Sequence, residues 1–131
     1  MTWRAIATTI GFLTLASPLH ADDRSGACLR SALRVGDCVT VHARLTTCTG
    51  IPNARLWVIG TKRVLGVADA DAKHGGEKIL PHWLDETMFS AMPCSKAAYG
   101  DFTVCPLSPD RPGVMRTVCV ADVANIVLRD W

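Results

Sequence analysis

The sequence predicts a mainly β domain with one helix set between its third and fourth strands and with three disulfides. Three observations carry that prediction. Apolar and polar residues alternate in short runs, the period of a strand with one buried face. Glycine, proline, asparagine and aspartate punctuate those runs, as turns require. Six cysteines occur in 131 residues, an even number that suits a small stapled domain.

The elements follow an expected export signal. Residues 5–16 (AIATTIGFLTLA) are uncharged and mostly apolar, Arg4 precedes them, and Ser17-Pro18 breaks the run ahead of Ala21. These twelve residues are too few to span a bilayer and fit a secretory core, with cleavage after residue 21 and a single domain over 22–131. No other stretch is apolar and long enough to cross a membrane, so the expected location is periplasmic or secreted. Without the signal the chain carries 13 Lys/Arg against 12 Asp/Glu. That balance lacks the basic excess of a dedicated nucleic-acid binder, and none is expected as partner.

Residues 22–36 start polar, then place Ala27, Cys28, Leu29, Ala32 and Leu33 at roughly helical spacing. Ser25 is positioned to cap a short helix and Gly36 to end it. Residues 38–47 (CVTVHARLTT) alternate as a half-buried strand, with Val39, Val41, Ala43 and Leu45 on one face and Thr40, His42 and Arg44 on the other. Residues 49–53 form a loop. Strands over 54–59 and 62–67 are joined by Gly60-Thr61, which suits a type II′ turn. The resulting register opposes Trp57 to Val64 and Leu56 to Leu65. One face then carries Leu56, Val58, Arg63 and Leu65, and the other Arg55, Trp57, Ile59, Lys62 and Val64. Arg63 among apolar residues implies a snorkelling rim position, a longer turn, or a carboxylate partner such as Asp101 or Asp122.

A polar loop over 68–76 leads to the helix over 81–92 (PHWLDETMFSAM). Pro81 fits a first helical position, Asp85 and Glu86 suit the electropositive half, and Pro93 stops the helix. Residues 101–120 read as a hairpin, with strands near 101–105 and 114–120 about a turn at Pro112; residues 125–129 make a last short strand. Cys105 and Cys119 lie symmetrically about Pro112. Opposed antiparallel residues sit roughly 4.5–5.5 Å apart at Cα, within disulfide reach, so Cys105–Cys119 is the expected staple. Cys38 and Cys48 bound a strand about 33 Å long and cannot pair together. Two alternatives remain: Cys28–Cys38 with Cys48–Cys94, or Cys28–Cys48 with Cys38–Cys94.

Three strands, a helix and a closing hairpin follow the order of the five-stranded OB barrel, β-β-β-α-β-β. The competing architecture is an open antiparallel sheet with one helix across it.

The runs ARLWVIGTKRVLGV (54–67) and YGDFTVCPLSPDRPGVMRTVCV (99–120) resemble blocks of a small family of exported proteobacterial proteins. Arg55, Trp57, Gly60, Thr61, Arg63, Leu65, Gly66 and Val67 match the first block, and Cys105 and Cys119 the second. The resemblance spans about a third of the chain left after cleavage. It implies export and a Cys105–Cys119 staple, and brings no activity or catalytic residue with it.

No G-x-S-x-G or H-E-x-x-H pattern accompanies His42, His74 or His82, and six cysteines in an oxidising compartment are expected to be paired rather than reactive. The expectation is a domain that is not an enzyme and needs no cofactor. Asp69, Asp71, His74 and Glu77 offer oxygen and imidazole ligands, but their spacing matches no defined metal loop, and a solvated turn explains them. Arg55, Trp57 and Lys62 share a predicted face with Arg44 nearby. An indole among cations suits a glycan, peptide or anionic polymer of the cell envelope. The plainer reading packs Trp57 under a loop or the N-terminal helix, in a structural or protein-interaction part with no small ligand.

Overall fold

In a computed structural model of the chain, the described residues are 23–48, 54–71 and 94–130. They form a short helix, α1 (Asp23–Leu29), and five strands: β1 (Val39–Thr46), β2 (Arg55–Val58), β3 (Val64–Val67), β4 (Lys96–Pro106) and β5 (Arg116–Asp130). The expected signal over 1–21 and helix over 81–92 lie outside the described residues. No described helix is long and apolar enough to cross a membrane.

The strands make one mixed sheet that closes on itself, in the order β1-β2-β3-β5-β4 with β4 returning to β1. β3 and β5 run parallel through Leu65/Arg116, Gly66/Thr117 and Val67/Val118, and the other neighbours are antiparallel. Alternation sends one set of side chains inside. Ala43, Leu45, Leu56, Leu65, Val67, Ala98, Phe102, Val104, Val118, Val120 and Val123 fill the interior, with Phe102 the largest of the fully buried residues. A second, smaller apolar cluster lies beneath α1: Cys28, Cys105, Leu107, Cys119 and Ala121, with Cys38 against it.

Two turns set the hairpins. Thr61 N bonds Val58 O at 3.1 Å around Ile59 and Gly60, with Gly60 at φ 82°, and Val58 N bonds Arg63 O at 3.0 Å. The connection is thus longer than the expected Gly60-Thr61 link, and glycine takes the third position that a type II turn demands. The expected pairing of Trp57 with Val64 and Leu56 with Leu65 is kept. Arg63 sits at the rim and bonds Asp110 at 3.0 Å, not Asp101 or Asp122. In the second turn, Val114 N bonds Arg111 O at 3.2 Å around Pro112 and Gly113, whose φ is 73°.

Other sequence expectations need correction. The N-terminal helix ends at Leu29, not near Gly36, and Ser25 lies within it instead of capping it. From there the chain turns through 30–34, and Val35 N bonds Pro106 O at 2.9 Å, drawing the segment onto the end of β4. The separate last strand expected at 125–129 is continuous with the closing hairpin, because β5 absorbs its irregularities as bulges. The register slips between Tyr99/Asp101 and Thr103/Val104, and Asn125 takes φ 56° at the first slip. Asparagine tolerates that left-handed conformation better than most residues.

The disulfides are Cys28–Cys119, Cys38–Cys105 and Cys48–Cys94. Cys105 and Cys119 are register partners, as the hairpin implied, yet they do not bond each other. Leu107 N bonds Thr117 O, which by alternation makes Cys105/Cys119 a hydrogen-bonded pair at about 5.5 Å between Cα atoms, so distance alone does not exclude that bond and the outcome rests on the competing cysteines. Cys38, one step beyond the Val39/Val104 pair, comes within 4.1 Å of Cys105 at Cα. α1 lays Cys28 against Cys119 at 5.7 Å. Partners distant in sequence therefore take both sulfurs. Cys38 and Cys48, at opposite ends of β1, do bond different partners. Of the two expected alternatives only the Cys48–Cys94 pairing occurs. The loops closed span 91, 67 and 46 residues, worth roughly 4–5 kcal/mol each in the chain-entropy picture. Three disulfides fit an oxidising, exported environment.

Gly100 faces the Asn125 bulge. A Cβ there would lie 2.9 Å from the Ala124 carbonyl oxygen and closer still to Ile126 Cδ1. Gly100→Ala is therefore expected to lower unfolding stability by about 1–3 kcal/mol, read as a reduced urea midpoint; an unchanged midpoint contradicts the bulge geometry.

Candidate functional site

The outer face of β2, β1 and β4 brings most of the sequence-predicted residues together. Arg44 is the register partner of Trp57 on β2 and of Tyr99 on β4, so it stands between two aromatic residues. Its guanidinium lies 4.9 Å from the Trp57 ring centroid, within cation–π range. Arg55 follows two residues from Trp57 on the same face of β2. All four of these side chains are half-buried. Lys62 is exposed in the β2–β3 connection, beside Thr61, whose carbonyl accepts the Trp57 indole N–H at 2.7 Å. Trp57 is thus neither a core residue nor a free surface ring: its N–H fastens the turn and Arg44 covers its ring.

The row continues on the side of Tyr99. The Arg129 guanidinium lies 5.6 Å from the Tyr99 ring centroid. The expected hairpin strand starts at Asp101, where β4 starts at Lys96, so the expectation omits Tyr99; Arg129 falls in the expected last strand, to which the sequence assigns no neighbour. The stretch K-A-A-Y-G has small residues at both inward and outward positions and so shows little alternation.

Two residues along β1, His42 pairs with Asp101. His42 Nδ1 lies 2.9 Å from Asp101 Oδ1, and Asn125 Nδ2 donates to Asp101 Oδ2 at 2.8 Å. The Asn125 and His42 hydrogen bonds hold the Asp101 carboxyl below the usual carboxylate range. The bulge at Asn125 thus has a polar consequence, aiming an amide at the carboxylate. In the next row, the Thr40 and Thr103 hydroxyls bond each other at 2.9 Å.

Asp69 and Asp71 lie after β3, while His74, Glu77 and His82 fall outside the described residues. Cys28, Cys105 and Cys119 place their sulfurs within 4.8 Å of one another, but all three are oxidised in disulfides and offer no thiolate to a metal. No protein-family model, curated protein or solved structure matches the chain.

Asp101 gives the site a pH signature. A folded-state pKa below the unfolded value adds stability that is present above the unfolded value and lost as pH falls through the folded one. Urea midpoints measured from pH 7 down to pH 2 are expected to fall more for the natural protein than for Asp101→Asn, so that the natural protein's advantage at pH 7 narrows as pH drops through the ordinary carboxylate range and below it. Parallel curves contradict the Asn125–Asp101–His42 contacts.

Proposed function

We propose that this protein is an exported, OB-like β-barrel domain of the cell envelope that is not an enzyme and binds an anionic glycan or related anionic polymer. The closed strand order and the parallel β3–β5 seam support the OB-like reading. Kinship with the exported family resembled over 54–67 and 99–120 belongs to the same proposal. The observation that carries the ligand reading is Arg44 set between Trp57 and Tyr99, with Arg55 and Lys62 to one side and Arg129 to the other. Aromatic faces suit the apolar faces of sugar rings, and planar guanidinium groups suit carboxylate or sulfate. Held on paired strands, these groups need little ordering on binding.

A second reading, an envelope protein-interaction part, draws on Val127 and Leu128, which are 49% and 41% exposed on the last stretch of β5.

The readings separate by titration with a uronic-acid oligosaccharide and a neutral one of equal length, followed by calorimetry. The acidic probe is expected to bind more tightly, and Arg44→Ala to weaken it about tenfold, near 1.4 kcal/mol, at an urea midpoint close to that of the natural protein. Trp57→Phe keeps a ring and should bind better than Trp57→Ala. Absence of binding to both probes, with an envelope protein recovered by crosslinking through β5, supports the second reading instead.

A further inference from the structure

We propose that Cys38 is the entry point of a thiol–disulfide exchange relay that converts one incoming thiol into a rearranged Cys105–Cys119 pairing and a released Cys28 thiol. Access and proximity carry the proposal. Cys38 is half-buried, whereas Cys28, Cys105 and Cys119 are each at most 2% exposed. An external thiolate therefore meets the Cys38–Cys105 bond at Cys38 Sγ, and Cys105 is the leaving sulfur. Cys105 Sγ lies within 4.8 Å of both sulfurs of the Cys28–Cys119 bond. Cys105 and Cys119 are already register partners on β4 and β5, so joining them needs no change of strand pairing.

The steps balance. The incoming thiolate forms a bond to Cys38 Sγ as the Cys38–Cys105 bond breaks, and the electron pair leaves on Cys105. The Cys105 thiolate attacks Cys119 Sγ, the Cys28–Cys119 bond breaks, and the electron pair passes to Cys28. Cys28 takes up the proton that the incoming thiol gave up. One thiol enters, one thiol appears, and the number of disulfide bonds is unchanged, one of them now joining Cys38 to the incomer.

The consequence is conformational. Cys28 and Cys38 are the two points where disulfides tie the segment from α1 to β1 to the sheet, beside the Val35–Pro106 hydrogen bond. The relay releases both while leaving the hairpin between β4 and β5 stapled. The face formed by Cys105, Leu107, Cys119 and Ala121 then loses its covalently held cover. Cys48–Cys94, at the other end of β1, takes no part.

Glutathione serves as the probe on the intact natural protein. After quenching with an alkylating reagent, mass spectrometry of the peptides reads each cysteine separately. Glutathione on Cys38, the alkyl group on Cys28 and a Cys105–Cys119 crosslink in the same molecules are expected. Alkylated Cys105 with Cys28–Cys119 intact overturns the relay, as does glutathione found on Cys105 or Cys119 with Cys38 unmodified. Cys38→Ala tests the second step without any reductant: its one odd thiol is expected at Cys28, and a thiol at Cys105 overturns the proposal.

Discussion

The hydrogen-bonded seam between β1 and β4 is the constraint on which the structure depends. Its register runs unbroken from Val39/Val104 to Leu45/Ala98. Without it the remaining strands would form an open sheet with β1 and β4 as bare edges, the situation that invites pairing with other chains. With it, Ala43, Leu45, Ala98, Phe102 and Val104 face the same enclosed interior. The seam also places the chemistry. It sets Cys38 beside Cys105, His42 opposite Asp101 and Arg44 opposite Tyr99, three consequences of one register.

The outer side of that seam is divided in two. At one end α1 and the turns after it lie over Cys105, Leu107 and Cys119. A seven-residue helix is too short to hold its shape by its own hydrogen bonds. Covalent attachment through Cys28 and Cys38 supplies what its small apolar face does not. At the other end the surface is left to half-buried aromatic rings and guanidinium groups, packed against each other across the strands. The same strand alternation yields a sealed patch and an accessible one, according to whether a cysteine or an arginine occupies the outward position.

Much of the strand layout was legible because it depends on local alternation. The opposition of Trp57 to Val64 follows from the periodicity of two short runs, and it survives a turn longer than the sequence suggested. The opposition of Cys105 to Cys119 follows from symmetry about Pro112. Their bonding does not, because residues 67 and 91 positions away decide it. The bulge at Asn125 looked like a gap between strands, since an extra residue disrupts alternation just as a turn does. Tyr99 was hidden by its small neighbours, and its position beside Arg44 appears only once β1 and β4 are joined. The Cys105–Cys119 staple is not formed, because each of those sulfurs bonds a cysteine of the N-terminal segment instead.

The most direct measurement is peptide mapping of the unreduced protein under conditions that block thiol exchange. A Cys38–Cys105 crosslink is the result expected, because only a β1–β4 seam in this register brings those two residues to 4.1 Å at Cα. Recovery of Cys38 bonded to Cys28 or Cys94, or of Cys105 bonded to Cys119 in untreated protein, would contradict it.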